Sequence, residues 1–520
     1  MIVRRLLSLL LGSVLAAPLT AQAPRLGTIS FPTSGSPPAQ ERFIEGVLFL
    51  HSFEYESAAR AFRAAQEIEP DFAMAYWGEA MTYNHPLWGQ WDDSAASGAL
   101  GRLGETPAAR RAKAGTERER MYLEAVEALW ADGPKPQRDT AYAEAMERLV
   151  HAFPDDDEAR AFHALSLLGL SGTTRVFPSY MRAAAVAGEI FRDHPDHPGA
   201  AHYLIHSFDD PIHAPLGLPA ARAYSGIAPD AAHAQHMTTH IFLALGMWDE
   251  VVSQNTIAAD LTHWGPGHYT AWLGYGLLQQ GKYDGAREHL ERARGEMRTP
   301  PPAGQRGYLA SMRAHWLVIT ERWTDPVASW EIDLTGAGAV SRAIDTFAVG
   351  WAALQTGNAA AARTRLAELE SMRATAAEGR EGAYGGNADR IAVLATELEA
   401  GLSLAAGDTD AGLRALRAAA RMEDGLPLEF GPPDIVKPSH ELLGETLLGL
   451  GRAGEAQTAF ERALALAPNR ALSLAGLARA AAAAGNAAAR DRALATLRET
   501  WDEAEAGIAW AELLTQVGMR

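Results

Sequence analysis

Six of the chain's 17 histidines fall between residues 202 and 240: His202, His206, His213, His233, His236 and His240. Two pairs, His202/His206 and His236/His240, have the spacing H-x-x-x-H. Residues four apart on a helix project side by side, so each pair can offer two imidazole nitrogens to one metal ion. Two such helices packed as neighbours would offer four nitrogens, with His233 as a further ligand. Asp209 and Asp210 follow the first pair and are candidate general bases or partners that orient the ligands. His51 and His85 could extend the set toward a second ion. Thiolate ligation is excluded because the chain has no cysteine, and imidazole alone suits zinc, copper, iron or nickel. The cofactor expected is therefore a transition metal, with zinc, copper or iron foremost. No H-E-x-x-H, G-x-S-x-G or phosphate loop is present, so no hydrolytic class can be named.

Other histidines have plainer readings. His163 falls at a packing position, and His194 and His197 lie in the turn RDHPDHPG, exposed or capping a helix. His213 follows a helix-ending Asp-Asp-Pro, and His263, His268, His289 and His315 have no partner at ligand spacing.

Composition sets the surroundings. Arg4 and Arg5 precede an apolar run that ends in Ala21-Gln22-Ala23, the pattern of a secretory signal spanning residues 1–23. The mature protein is expected in the periplasm or secreted. No later stretch approaches the roughly 20 apolar residues that cross a bilayer. A formal charge of −18 argues against nucleic acid, whose phosphates require a positive surface.

The elements that must position the histidines are helices in repeats. SHELLGETLLGLGRAGEAQTAFERALALAP, residues 439–468, places Leu443-Gly444, Gly451, Ala456, Phe460, Ala463 and Pro468 at the spacing of a tetratricopeptide (TPR) unit. Further copies are anchored at Gly246, Gly281, Gly357, Gly407 and Gly485, and an N-terminal copy shows Gly46, Tyr55, Ala58, Phe62, Ala65 and Pro70. The chain thus resembles the TPR family over most of residues 40–515. The phrases FAMAYWGEAMTYNHPLW, HYLIHSFDDPIHAPLGLPAARAYSGIAPDAAHAQHMTTH and KPSHELLGETLLGLG are similar to those of exported bacterial TPR proteins, a resemblance that implies the fold and no reaction. The fold class is all-α: a solenoid of seven to nine helical hairpins curled around a central groove. Residues 24–38 read as a flexible leader, 39–520 as the solenoid, and 86–117 as an insertion within it.

The repeat register says where the histidines point. With Gly246 at position 15 of its unit, His233, His236 and His240 fall at positions 2, 5 and 9; His202 and His206 fall at 5 and 9 of the preceding unit. Those positions share one helical face. The resemblance implies that this face lines the concave groove. Glu441 and Glu445 occupy positions 5 and 9 near the other end, as a solvated face or as catalytic carboxylates brought in by the superhelical curl. Two functions follow. One is a metal-binding protein, with or without metal-dependent catalysis; the other is a non-catalytic scaffold whose groove holds a peptide or protein partner.

Overall fold

Glycine meets phenylalanine at matching places near the two ends of the chain. Gly46 and Gly78 sit so close to Phe62 that a Cβ on either would lie 2.6 or 2.3 Å from its ring; Gly444 and Gly476 repeat this around Phe460, at 2.9 and 2.2 Å. Each phenylalanine is fully buried between helices that only a missing side chain lets approach. Alanine at position 476 would improve helix propensity, but the collision with a fixed ring outweighs that gain. We expect Gly476→Ala to destabilise the protein by about 1–3 kcal/mol. A urea midpoint equal to or above that of the wild type would refute this.

The computed structural model describes residues 23–171, 175–378, 387–428 and 430–502, with positions 504, 513 and 517. Residues 1–22 of the expected export signal lie outside the described residues. The described residues form 24 α-helices and one two-residue antiparallel pairing, Asn84–His85 with Gln90–Trp91. The second strand of that pairing and the helices Asp93–Leu103 and Pro107–Arg111 fall in the 86–117 insertion, and its first strand lies just before it. Among the described residues, Ala303–Thr320 stands between hairpins, Ala73–Met81 packs against both Tyr55–Ile68 and Asp93–Leu103, and twenty of the other helices pair in order as ten hairpins. This exceeds the seven to nine expected. The hairpins between Glu117 and Asp193 lack the left-handed glycine spacing that marks the six hairpins from Ala232 onward, so the sequence undercounts them.

All six anchoring glycines from Gly246 to Gly485 have positive φ, between 67° and 84°. Gly246 illustrates why: its left-handed turn lets its own N–H reach Leu243 O at 3.0 Å and that of Met247 reach Phe242 O at 2.8 Å, ending one helix before the next begins.

The leader is not free. Leu26 and Phe31 are buried, Phe31 packing among Phe43, Trp77 and Tyr122, and Arg25 pairs with Asp230 at 2.9 Å. The segment PTSGSPP has no helical period, but two apolar anchors suffice to bind an extended strand of chain to the solenoid. The other end returns as well. Trp248 donates to Asn469 O at 3.1 Å, Arg470 to the Tyr275 hydroxyl at 2.8 Å, and Trp501 to Gln279 O at 3.1 Å. Both ends therefore converge on residues 196–280, the stretch that carries the histidines. No helix among the described residues is long and apolar enough to cross a membrane.

Candidate metal centre

The first group forms where the Pro198–Ser207 helix meets the Ala232–Ala244 helix. One ligand atom from each of His202, His206 and His233 lies within 4.8 Å of the others. The Nε2 atoms of all three are buried and have no hydrogen-bond partner. The Nδ1 of His202 contacts the backbone carbonyl of His51 at 2.6 Å. A carbonyl only accepts, so Nδ1 carries the proton and Nε2 keeps its lone pair. Phe53 forms the floor beneath all three rings, with centroids 4.3, 5.8 and 5.6 Å from those of His202, His206 and His233. Its φ of 54° is strained for a bulky residue. That turn after the Pro37–His51 helix aims the His51 carbonyl and the Phe53 ring at the same group. Burial pushes the imidazolium pKa of His206 and His233 well below the ordinary value and that of His202 to about 3. The three imidazoles are neutral, the form that ligates metal.

A second group adjoins the first. His236 and His240 lie one turn apart on the same helix as His233, and His268 opens the His268–Gln279 helix. Asn255 donates from Nδ2 to Val251 O at 2.9 Å, which fixes its amide and turns Oδ1 toward His236 Nδ1 at 2.7 Å. Asp209 holds His240 Nδ1 at 2.5 Å. Both Nδ1 atoms therefore donate, and the two Nε2 atoms face each other at 3.0 Å with a lone pair on each. Two acceptors at that distance repel unless a cation lies between them. Two ligands at about 2.0–2.1 Å from one ion, at angles between 90° and tetrahedral, stand roughly 2.9–3.4 Å apart. The His268 ring lies 4.4 Å from that of His236, and Trp272 packs on both members of the pair. The two groups approach at His206/His240 and His233/His236, with ring centroids 5.8 and 6.0 Å apart.

The arrangement differs from four nitrogens around one ion. Each H-x-x-x-H pair is completed by a third histidine from a neighbouring helix, His233 for the first and His268 for the second. Although His268 has no partner at ligand spacing, the register does mark it. Counted from Gly281 at position 15, His268 occupies position 2 of its unit, as His233 does when counted from Gly246.

The structure draws His51 and His85 away from these groups. His51 donates from Nε2 to Glu158 at 2.7 Å and accepts from the Tyr203 hydroxyl at 2.9 Å; only its carbonyl reaches the first triad. His197 approaches the other oxygen of Glu158 at 3.3 Å, so these three residues also cluster within ligand distance. Tautomers separate this cluster from the two triads. His197 caps its helix by accepting the Ala200 N–H at Nδ1, which leaves the proton on the Nε2 that faces Glu158. His51 is hydrogen-bonded at both ring nitrogens, whereas His197 Nε2 and Glu158 Oε1 are buried without a hydrogen-bond partner, and His197 is buried rather than exposed. His85 donates to Thr82 O at 3.0 Å and stacks on Tyr55 at 3.8 Å.

The candidate carboxylates all have fixed partners. Asp209 orients His240, whereas Asp210 accepts from the backbone of Ile212 and His213, from His213 Nδ1 and from Arg175. Glu441 is clamped by Arg470 at 2.8 and 3.1 Å and by Ser473 at 2.6 Å. Burial alone would raise its pKa, but Arg470 and Lys437 hold it down at about 2. Glu445 pairs with Lys437 at 2.7 Å. Neither glutamate is among the groups of converging ligand atoms. Glu54, which sequence reasoning passes over, lies nearer: it accepts the His233 backbone N–H at 3.1 Å.

The site thus sits in a solenoid of stacked helical hairpins. The pattern that defines the tetratricopeptide repeat matches residues 438–470. Among solved structures, the chain is similar to human IFIT1 in its dimer with PPP-AAAA, at 13% identity over 89% of each chain with a TM-score of 0.39. It is also similar to a chain of the APC/C hetero-tetramer Cut9-Hcn1, at 13% identity over 93% of this chain and 96% of that one, with a TM-score of 0.32. Likeness this loose carries no argument about what the chain binds. No curated protein matches.

Proposed function

We propose that the two triads each hold one transition-metal ion, zinc, copper or iron, making this TPR solenoid a dinuclear metalloprotein. The observation that carries the reading is the opposition of His236 and His240, whose Nε2 lone pairs meet at 3.0 Å because Asn255 and Asp209 fix both rings from outside. The three orphaned Nε2 atoms of His202, His206 and His233 repeat the pattern next door. A histidine-held ion with an open coordination position supplies Lewis acidity or, for copper and iron, one-electron chemistry with dioxygen. We also place the protein outside the cytoplasm, on the strength of Arg4-Arg5 and the apolar run to Ala23.

Elemental analysis of untagged protein, loaded with zinc or copper and then dialysed, tests the proposal. The expected content is about two ions per chain, near one in His206→Ala or His240→Ala, and near none in the double variant, with helical circular dichroism retained. Wild-type protein that retains no ion would end this reading. A scaffold whose groove holds a peptide would then take its place.

A further inference from the structure

Beside the second triad lies a chamber of about 510 Å³, into which His268 and Trp272 project. We propose that it binds an uncharged aromatic molecule of one or two rings bearing a hydroxyl group, a phenol in chemical class. The size is that of a small-molecule site, which generally spans about 300–1,000 Å³.

Three properties of the wall define the ligand. The wall is rich in flat aromatic surface: Trp272, Tyr275, Tyr308, Trp316 and Phe430 all contribute. Ring faces and edges of this kind favour another ring over an aliphatic chain of equal area. Its charges are already balanced, because Arg390 pairs with Asp434 and Arg175 with Asp210, each at 3.2 Å. His289 donates to Thr270 O, while His315 stands 3.0 Å from Ser311 O through Nδ1 and from Pro433 O through Nε2; burial pushes both imidazolium pKa values down, that of His315 to about 4, so the neutral His315 ring donates to one of its two carbonyls. An ionised ligand would lose its hydration and find no unbalanced countercharge in exchange. Finally, the His268 end offers a place for a hydroxyl group. The Tyr308 hydroxyl stands 3.5 Å from His268 Nδ1, at the limit of a hydrogen bond, so a ligand hydroxyl could serve either group better. His268 is exposed to this space, unlike the other five ligand candidates, which are buried.

The far side of the chamber is closed by residues 426–428 and by the segment 430–438. Gly431, at φ 107°, lays its backbone against the Trp272 indole, where a Cβ would lie 2.5 Å from the ring. Pro433 O lies 3.0 Å from His315 Nε2. The segment therefore holds Trp272 against the histidines and walls the chamber from the smaller cavity of about 140 Å³ that Asp209 and His240 line. Placing the ligand hydroxyl at the His268 end rests on the metal-binding reading; the aromatic and uncharged character of the ligand does not.

Calorimetric titration separates the two ideas, with 2-naphthol as probe, naphthalene-2-carboxylate as its charged counterpart, and metal-free and metal-loaded protein run in parallel. We expect one naphthol per chain, bound at least 10-fold more tightly than the carboxylate, and a further gain in affinity with metal. Ser311→Trp, which fills the chamber from its wall, should abolish binding while leaving metal content and helical circular dichroism unchanged. Tyr308→Phe should weaken naphthol several-fold. Naphthol binding to protein that retains no metal would sustain the chamber and sink the metal reading. Retained metal with no naphthol binding, or with the carboxylate bound as tightly, would overturn the chamber proposal alone. Binding that survives Ser311→Trp would overturn it too.

Discussion

Replacing Asp209 with asparagine lowers the affinity of the second triad for zinc by about 10-fold, and replacing it with leucine by about 100-fold, while the first triad fills as before. The argument is one of proton position. Asp209 accepts from His240 Nδ1 at 2.5 Å, which forces the lone pair onto Nε2 and raises its basicity. Asparagine can still accept from the ring but brings no charge. Leucine cannot accept, so the ring is free to adopt the other tautomer and turn a proton toward His236. Competition against a fluorescent zinc chelator resolves the two sites. Equal affinity in all three proteins would show that Asp209 does not set the tautomer and would remove the main support for the second triad.

Acid should unfold the metal-stripped protein far more readily than its acidic composition suggests. His202, with an ordinary value of 6.5, titrates in the folded state only at about 3, because burial penalises its charged form. His206, His233 and His236 are displaced in the same direction. A depressed folded-state value means that the unfolded chain binds more protons below pH 6.5. Stability is then complete above that pH and declines as the pH falls toward the folded-state value. At about pH 4.5, His202 alone should cost roughly 2–3 kcal/mol, a sizeable share of the stability of a typical protein. The check is the urea midpoint of chelator-treated protein at pH 7.5 and 4.5, beside His202→Gln. The variant should lose less on acidification, since glutamine does not titrate. Identical losses would place the acid sensitivity elsewhere.

Much of this centre is legible in the chain, and the illegible part has physical causes. The left-handed glycines set the repeat register, and that register puts both H-x-x-x-H pairs on facing surfaces, because one helical turn is a local property. His268 is legible too, but only when the unit is counted from Gly281 rather than searched for nearby partners. Which nitrogen carries the proton is not legible, because Asn255, Asp209 and the His51 carbonyl come from other helices. Glu441 occupies a groove position, yet Arg470 and Ser473 claim it from the next hairpin. Periodicity assigns a face and does not say who else reaches it. The leader fails as a flexible segment for a related reason: Phe31 finds its pocket in residues far along the chain.

The return of the last hairpins to the middle of the solenoid alters how the molecule must assemble. An open repeat array folds from neighbour to neighbour and frays from its ends, because each unit touches only the next. Here Trp248 meets Asn469 and Trp501 meets Gln279, contacts between segments more than 200 residues apart. Such pairings raise the contact order well above that of a linear array, so folding should be slower and closer to all-or-none. They also set a sequence of events. The His268–Gln279 helix gains its outer supports only when Arg470 and Trp501 arrive, so a nascent molecule presents its histidines on an unfinished wall.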